Sequence, residues 1–133
     1  MKEWRIELGD GSTRYPFGTD AVGQILYTHE GKMSAVIMTG NRSRFGKHSA
    51  RHLSESQKIV AFDSYFHYAG TWVIEGDQLV HSVDFSLNPD FMGTQQRRSA
   101  KLQDPYHLTL SAREKSDGGT SRLHYLEWCR TRN

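Results

Sequence analysis

The segment YAGTWVIEGDQLVHSVDFSLNPDFMGTQQRRSAKL, Tyr68 to Leu102, carries period-2 alternation, turn chemistry and a row of polar residues in one place. It reads as three strands. In Ala69 to Glu75, Gly70, Trp72 and Ile74 share a face, and Gly76-Asp77 supplies a tight reversal. In Leu79 to Leu87 the row Leu79, Val83, Phe85 and Leu87 also contains His81, while Ser82, Asp84 and Ser86 point the other way. After the Asn88-Pro89-Asp90 turn, a third strand puts Thr94, Gln96, Arg98, Ala100 and Leu102 on one face.

If that face is the interior, His81, Gln96 and Arg98 share an otherwise apolar space. An unpaired polar group there costs a few kcal/mol, and an unpaired guanidinium much more. The face is therefore wet, internally paired or liganded, and three such residues together point to a lined cavity. Trp72, His81, Phe85, Gln96 and Arg98 are its expected lining.

Outward from this centre the same alternation recurs. Trp4, Ile6 and Leu8 alternate with Glu3, Arg5 and Glu7 in a first strand. Gly23 to Thr28 and Met33 to Met38 form a hairpin around His29-Glu30-Gly31-Lys32, with Met33, Ala35 and Ile37 on one side. Thr39 to His52 is a polar, basic loop. Ser54 with Gln57 makes a capping box for the one helix, where Ile59, Phe62, Asp63 and Phe66 recur at helical spacing and predict a packed side ending near Tyr68. His107 to Ala112 and Arg122 to Arg130 are the last strands, joined by a turn over Lys115 to Ser121. Seven or eight short antiparallel strands and one helix predict an all-β fold, a small closed barrel wide enough for one small ligand.

At 133 residues the chain, 1–133, is one domain with one core. Its 17 basic and 15 acidic residues give a net charge of only +2, which argues against a nucleic-acid partner, and the basic run from Arg42 to Arg51 reads as a solvated loop. One cysteine, Cys129, excludes an intrachain disulfide and suits a reducing compartment. No signal-like or membrane-spanning apolar run occurs, so the expectation is a cytoplasmic protein without a membrane partner. His48 and His52 lie four apart in a loop rather than on a helix, and no metal site or cofactor motif is expected.

Several stretches taken in order resemble the lipocalin-like domain family of the calycin group. They are Tyr15-Pro16-Phe17-Gly18 with Asp20 and Gly23, Tyr27-Thr28 with Gly31 and Met33-Ser34-Ala35, and Ala61-Phe62-Asp63 with Tyr65 and Tyr68. Gly76-Asp77, His81, Val83, Ser86-Leu87, Pro89, Gly93-Thr94, Gln96, Arg98, Leu126 and Trp128 continue the set. The resemblance implies an antiparallel barrel around a cavity for a small, largely apolar molecule. Some related proteins act as cofactor-free cyclases or isomerases in natural-product pathways. Members of the family usually carry a Gly-x-Trp strand before the equivalent of Trp4, and without it a seam could open that a partner subunit covers, so a homodimer is one expectation.

Two functions follow as alternatives. In one the cavity binds an apolar molecule with an acidic or carbonyl group, Arg98 anchoring the polar end and Trp72, Phe85, Gln96, Thr94, Tyr65 and Tyr27 contacting the rest. In the other it is a cofactor-independent cyclase or isomerase. There His81, kept neutral by burial and by Arg98, is the general base, Arg98 and Gln96 stabilise an enolate, and Asp63 orients the imidazole or serves as acid.

Overall fold

A computed structural model describes residues 1–115 and 119–131. Its strands in chain order are β1 (Glu3–Leu8), β2 (Thr13–Arg14), β3 (Val22–Tyr27), β4 (Lys32–Met38), β5 (Tyr65–Glu75), β6 (Gln78–Ser86), β7 (Gln95–Asp104), β8 (His107–Lys115) and β9 (Ser121–Cys129). The helix α1 (Glu55–Asp63) precedes β5, and single 3₁₀ turns stand at Ala50–His52 and Pro89–Phe91. The turn expected between Lys115 and Ser121 falls largely outside the described residues.

From β3 to β9 each strand pairs with its chain neighbour, an up-and-down antiparallel meander, and β1 is then added to the far side of β9. The sheet brings its β1 and β3 sides together across a shared core. Among the described residues it is not closed by a backbone ladder, because β3 and β2 are its edges and no pairing joins β1 to β3. The two sides meet instead where the Met1 ammonium donates to the Gly23 carbonyl at 3.0 Å. Side chains bridge the rest: Met1, Trp4 and Phe17 pack with Ile25 against a core cluster of Ile37, Leu79, Leu110 and Trp128. A second cluster, Met33, Ala35, Tyr68 and Val83, fills the neighbouring part of the interior.

Three local readings of the sequence are corrected. The helix ends at Asp63, and β5 begins at Tyr65 rather than Ala69. Phe66, Tyr68, Gly70 and Trp72 continue the inward alternation, and burying Tyr68 in the core outweighs another helical turn. The capping box forms as expected, with Ser54 Oγ accepting from the Gln57 N–H and Gln57 Oε1 from the Ser54 N–H. The helix nevertheless turns Gln57 and Ala61 towards the protein and leaves Ile59, Val60 and Phe62 exposed, so the expected packed side is the reverse of the observed one.

Phe85 is the third. The pairing of β5 with β6 shifts between Ala69 and Gly70, so that Gly70 faces Val83 while Ala69 faces Phe85. Asp84 is the extra residue of a β-bulge, which inverts side-chain parity beyond it. Phe85 consequently leaves the interior row and stands 67% exposed.

At that bulge the β6 backbone crowds against Gly70, where an added Cβ would overlap the Ser82 carbonyl oxygen. Gly76 has a different reason to be glycine: its φ of 62° opens the two-residue hairpin between β5 and β6. Gly70→Val is expected to lower unfolding free energy by about 3 kcal/mol, the upper range for overpacking a well-filled core, as read by urea denaturation. A loss no larger than that of Gly9→Ala, where an added Cβ would make only ordinary contacts and the backbone needs no positive φ, would contradict the steric account.

Candidate functional site

The antiparallel registers build the site in two rows across the inner face. Trp72, His81 and Gln96 stand opposite one another, and beside them lie Ile74, Leu79 and Arg98. His81 is completely buried. Its Nδ1 is hydrogen-bonded to the Tyr68 hydroxyl at 2.8 Å and its Nε2 to the Tyr27 hydroxyl at 2.9 Å. A neutral imidazole has one N–H and one lone pair, so one tyrosine accepts from the ring and the other donates to it. Burial, and secondarily the Arg98 charge, pushes the His81 pKa down from 6.5 to about 4. Burial also raises both phenols above the ordinary tyrosine value, against the opposing pull of Arg98.

The guanidinium is held by its own strand. Arg98 donates from Nη2 to Gln96 Oε1 at 3.3 Å and from Nη1 to the Arg97 carbonyl at 3.1 Å. Gln96 Nε2 donates to Thr94 Oγ1 at 2.9 Å, and that hydroxyl donates to the Phe91 carbonyl at 2.7 Å. The relay fixes the Gln96 amide with its oxygen towards Arg98. Among the described residues Arg98 makes no ion pair, whereas neighbouring Arg97 meets Glu75 at 2.7 Å and Arg5 meets Glu127 at 2.7 Å. Burial lowers the Arg98 pKa, opposed by Tyr68, Tyr27 and Glu114.

Two cavities open at the end of the barrel that carries the 76–77 and 105–106 turns. One of about 430 Å³ is lined chiefly by apolar side chains, among them Tyr27, Trp72, Leu79, Ala100, Leu102 and Leu108. The second, of about 850 Å³, follows the free edge of β3 and is bounded by Met1, Ile25, Tyr27, Trp128 and Arg130. Tyr27 lines both, and its hydroxyl ends on His81. Its ring meets Trp72 edge-on with centroids 5.2 Å apart, and the Trp72 indole N–H is anchored on the Thr28 carbonyl at 3.1 Å. Leu79, which lines the smaller cavity, stands opposite Arg98 in the ladder, whereas His81, Gln96 and Arg98 lie behind that lining and not in it.

The sequence of residues 1–131 matches the model of a family described as a lipocalin-like domain. The chain belongs to the lipocalin-like domain family. No curated protein matches it. Lipocalin-like membership implies a ligand-binding β-barrel, and the cavities at the barrel mouth are in keeping with it. No described helix is long and apolar enough to cross a membrane. Among the described residues no cluster of three or more His, Cys, Asp or Glu side chains is arranged to hold a metal.

Of the residues singled out in the sequence, the fold brings together Tyr27, Trp72, His81, Thr94, Gln96 and Arg98. It places three elsewhere. Phe85 is displaced by the bulge, and Tyr65 lies on the outer face, under the Arg42 guanidinium at 5.1 Å and stacked on His67. Asp63 is exposed at the last turn of α1 and is not a partner of His81, whose two nitrogens are taken by the tyrosines. Tyr68 joins the site although helical spacing predicts a helix running up to it, because β5 already begins at Tyr65. Reading the alternation of Trp72 and Gly70 backwards by two residues would have found it.

These protonation states make a prediction about stability. In the unfolded chain His81 protonates near 6.5, whereas in the fold it stays neutral down to about 4. Between those values the unfolded chain binds the additional proton, so stability falls as pH drops from about 6.5 to about 4; above 6.5 the group contributes no pH dependence. The loss amounts to about 3 kcal/mol. His81→Gln, which can still bond both tyrosines, is expected to remove that part of the pH dependence in denaturation curves recorded from pH 7 to pH 4. Parallel curves for the two proteins would refute a buried neutral imidazole.

Proposed function

We propose that the protein binds a small, largely apolar molecule bearing a carboxylate or other acidic group. The observation that carries this reading is Arg98, an inward-facing guanidinium in a partly desolvated position that makes no ion pair among the described residues, Glu114 acting on it only from farther away. A cation so placed is stabilised by an anion that brings two acceptor oxygens, and the guanidinium fork suits such a group. The apolar part of the ligand fits the 430 Å³ cavity between Trp72, Leu79, Leu102 and Leu108, within the range of small-molecule pockets. Gln96, oriented through Thr94, supplies an amide beside the guanidinium, and Tyr27 presents its ring to the cavity.

The hydrogen bonding of His81 favours binding over base catalysis. A general base needs a free lone pair within reach of the substrate, and here both nitrogens are engaged by phenols. Proton transfer would have to pass through Tyr27, whose acidity is itself reduced by burial. The histidine is better suited to hold two strands and their tyrosines in place: Tyr27 on β3 and Tyr68 on β5.

Native mass spectrometry of the purified protein, followed by extraction, identifies a co-purified ligand directly. For a defined probe, anilinonaphthalene sulfonate supplies an apolar anion and phenylnaphthylamine its uncharged counterpart. Arg98→Met is expected to weaken the sulfonate about tenfold or more, from the loss of charge-assisted hydrogen bonds, and to leave the neutral probe within about twofold. Equal losses for both probes, or none for either, would overturn the anion-anchoring role.

A further inference from the structure

The helix α1 packs its polar and small side chains inward and presents its large apolar ones to solvent. Gln57 and Ala61 are half-buried, while Ile59, Val60 and Phe62 are 61%, 46% and 49% exposed. No residue of the helix is buried. Such an orientation is the reverse of what a globular fold alone selects. It is also fixed rather than loose. Arg42 donates from Nη2 to the Ala61 carbonyl at 3.0 Å and from Nε to Ser64 Oγ at 3.1 Å, closing the helix C-terminus.

Charge concentrates around the same residues. The segment 39–64 holds five basic residues against two acidic ones, whereas the remainder of the chain holds twelve against thirteen. The net positive charge of the protein therefore resides here. Arg44, Lys47, Arg51 and Lys58 are all exposed, and none enters an ion pair among the described residues. The acids, Glu55 and Asp63, lie one turn to either side of Ile59 on its own helix face, so the excess positive charge comes from Lys58 and from the 42–52 loop.

We infer that α1 and the 42–52 loop form a docking surface for a bilayer of anionic phospholipid. Exposed Ile59, Val60 and Phe62 enter the boundary between headgroups and acyl chains, and the four free cations meet the negative headgroups. Excess positive charge beside a short apolar patch matches both layers of such a surface. Solvent-exposed apolar residues alone would not distinguish it from a protein interface. The association is peripheral and leaves the barrel intact. It lies at the end of the barrel opposite the 76–77 and 105–106 turns and does not depend on what the cavities hold.

Flotation with phosphatidylcholine vesicles, with and without phosphatidylglycerol, tests the inference. The protein is expected to float with the anionic vesicles, to stay with the aqueous phase in their absence, and to be released by raised salt. Ile59→Ser with Phe62→Ser, and separately Arg44→Glu with Lys47→Glu, should each lower the partition about tenfold or more. All four sites are exposed, so circular dichroism and probe binding in the cavity should not change. Lys101→Glu, on exposed β7, should float as the unaltered protein does. Equal binding to neutral vesicles, or unchanged binding by both double variants, would overturn the proposal. So would a dimer in sedimentation that Ile59→Ser with Phe62→Ser dissolves, or displacement from vesicles by an equimolar acidic polypeptide, since these assign the surface to a second copy or to a protein partner.

Discussion

A buried imidazole held between two phenols organises the interior. His81 comes from β6, Tyr68 from β5 and Tyr27 from β3, so two hydrogen bonds link three strands across the inside of the sheet. An unpaired imidazole at complete burial would cost several kcal/mol, and paired it does the opposite: it specifies which residues must face inward. The register of β6 against β5 and β7 follows from the same requirement, because a slip by one residue would turn His81 outward and leave both phenols without a partner.

That constraint explains the division of the interior. On the side of Tyr68 the space is packed by Met33, Ala35, Val83 and the ring of Phe91. On the side of Tyr27 the lining is Trp72, Leu79, Leu102 and Leu108, and the barrel is open. Arg98 adjoins the boundary. Its proximity helps to keep His81 neutral, and His81 in turn provides it with no counter-charge. A ligand anion at Arg98 would therefore give the guanidinium the ion pair it lacks among the described residues without disturbing the tyrosine–histidine chain.

The seam between β1 and β3 gives the second cavity its position. In an antiparallel ladder alternate residues turn their backbone groups to opposite sides. Gly23 directs its carbonyl away from β4 to the Met1 ammonium, and Ile25 and Tyr27 share its parity along the 850 Å³ cleft. Closure here is made by core side chains rather than by a ladder, and this end of the barrel is accordingly roomier than a fully paired one.

The sequence alone determined the strands with uninterrupted alternation, the helix N-terminus and the membership of the inner polar row, since these depend on period, capping chemistry and the cost of burying charge. It also supported the lipocalin-like reading through an ordered series of short motifs. Only the tertiary structure decided the rest. The bulge at Asp84 put Phe85 outside, because a parity change arises from pairing between strands and leaves no mark in the period of one strand. The interior claimed Tyr68 for β5, although helical spacing alone carried the helix through it. The same holds for α1: its apolar residues have the spacing of a packed face, but the single-residue step into β5 and the Arg42 bonds to Ala61 and Ser64 hold its C-terminus in an orientation that leaves Ile59 and Phe62 in solvent.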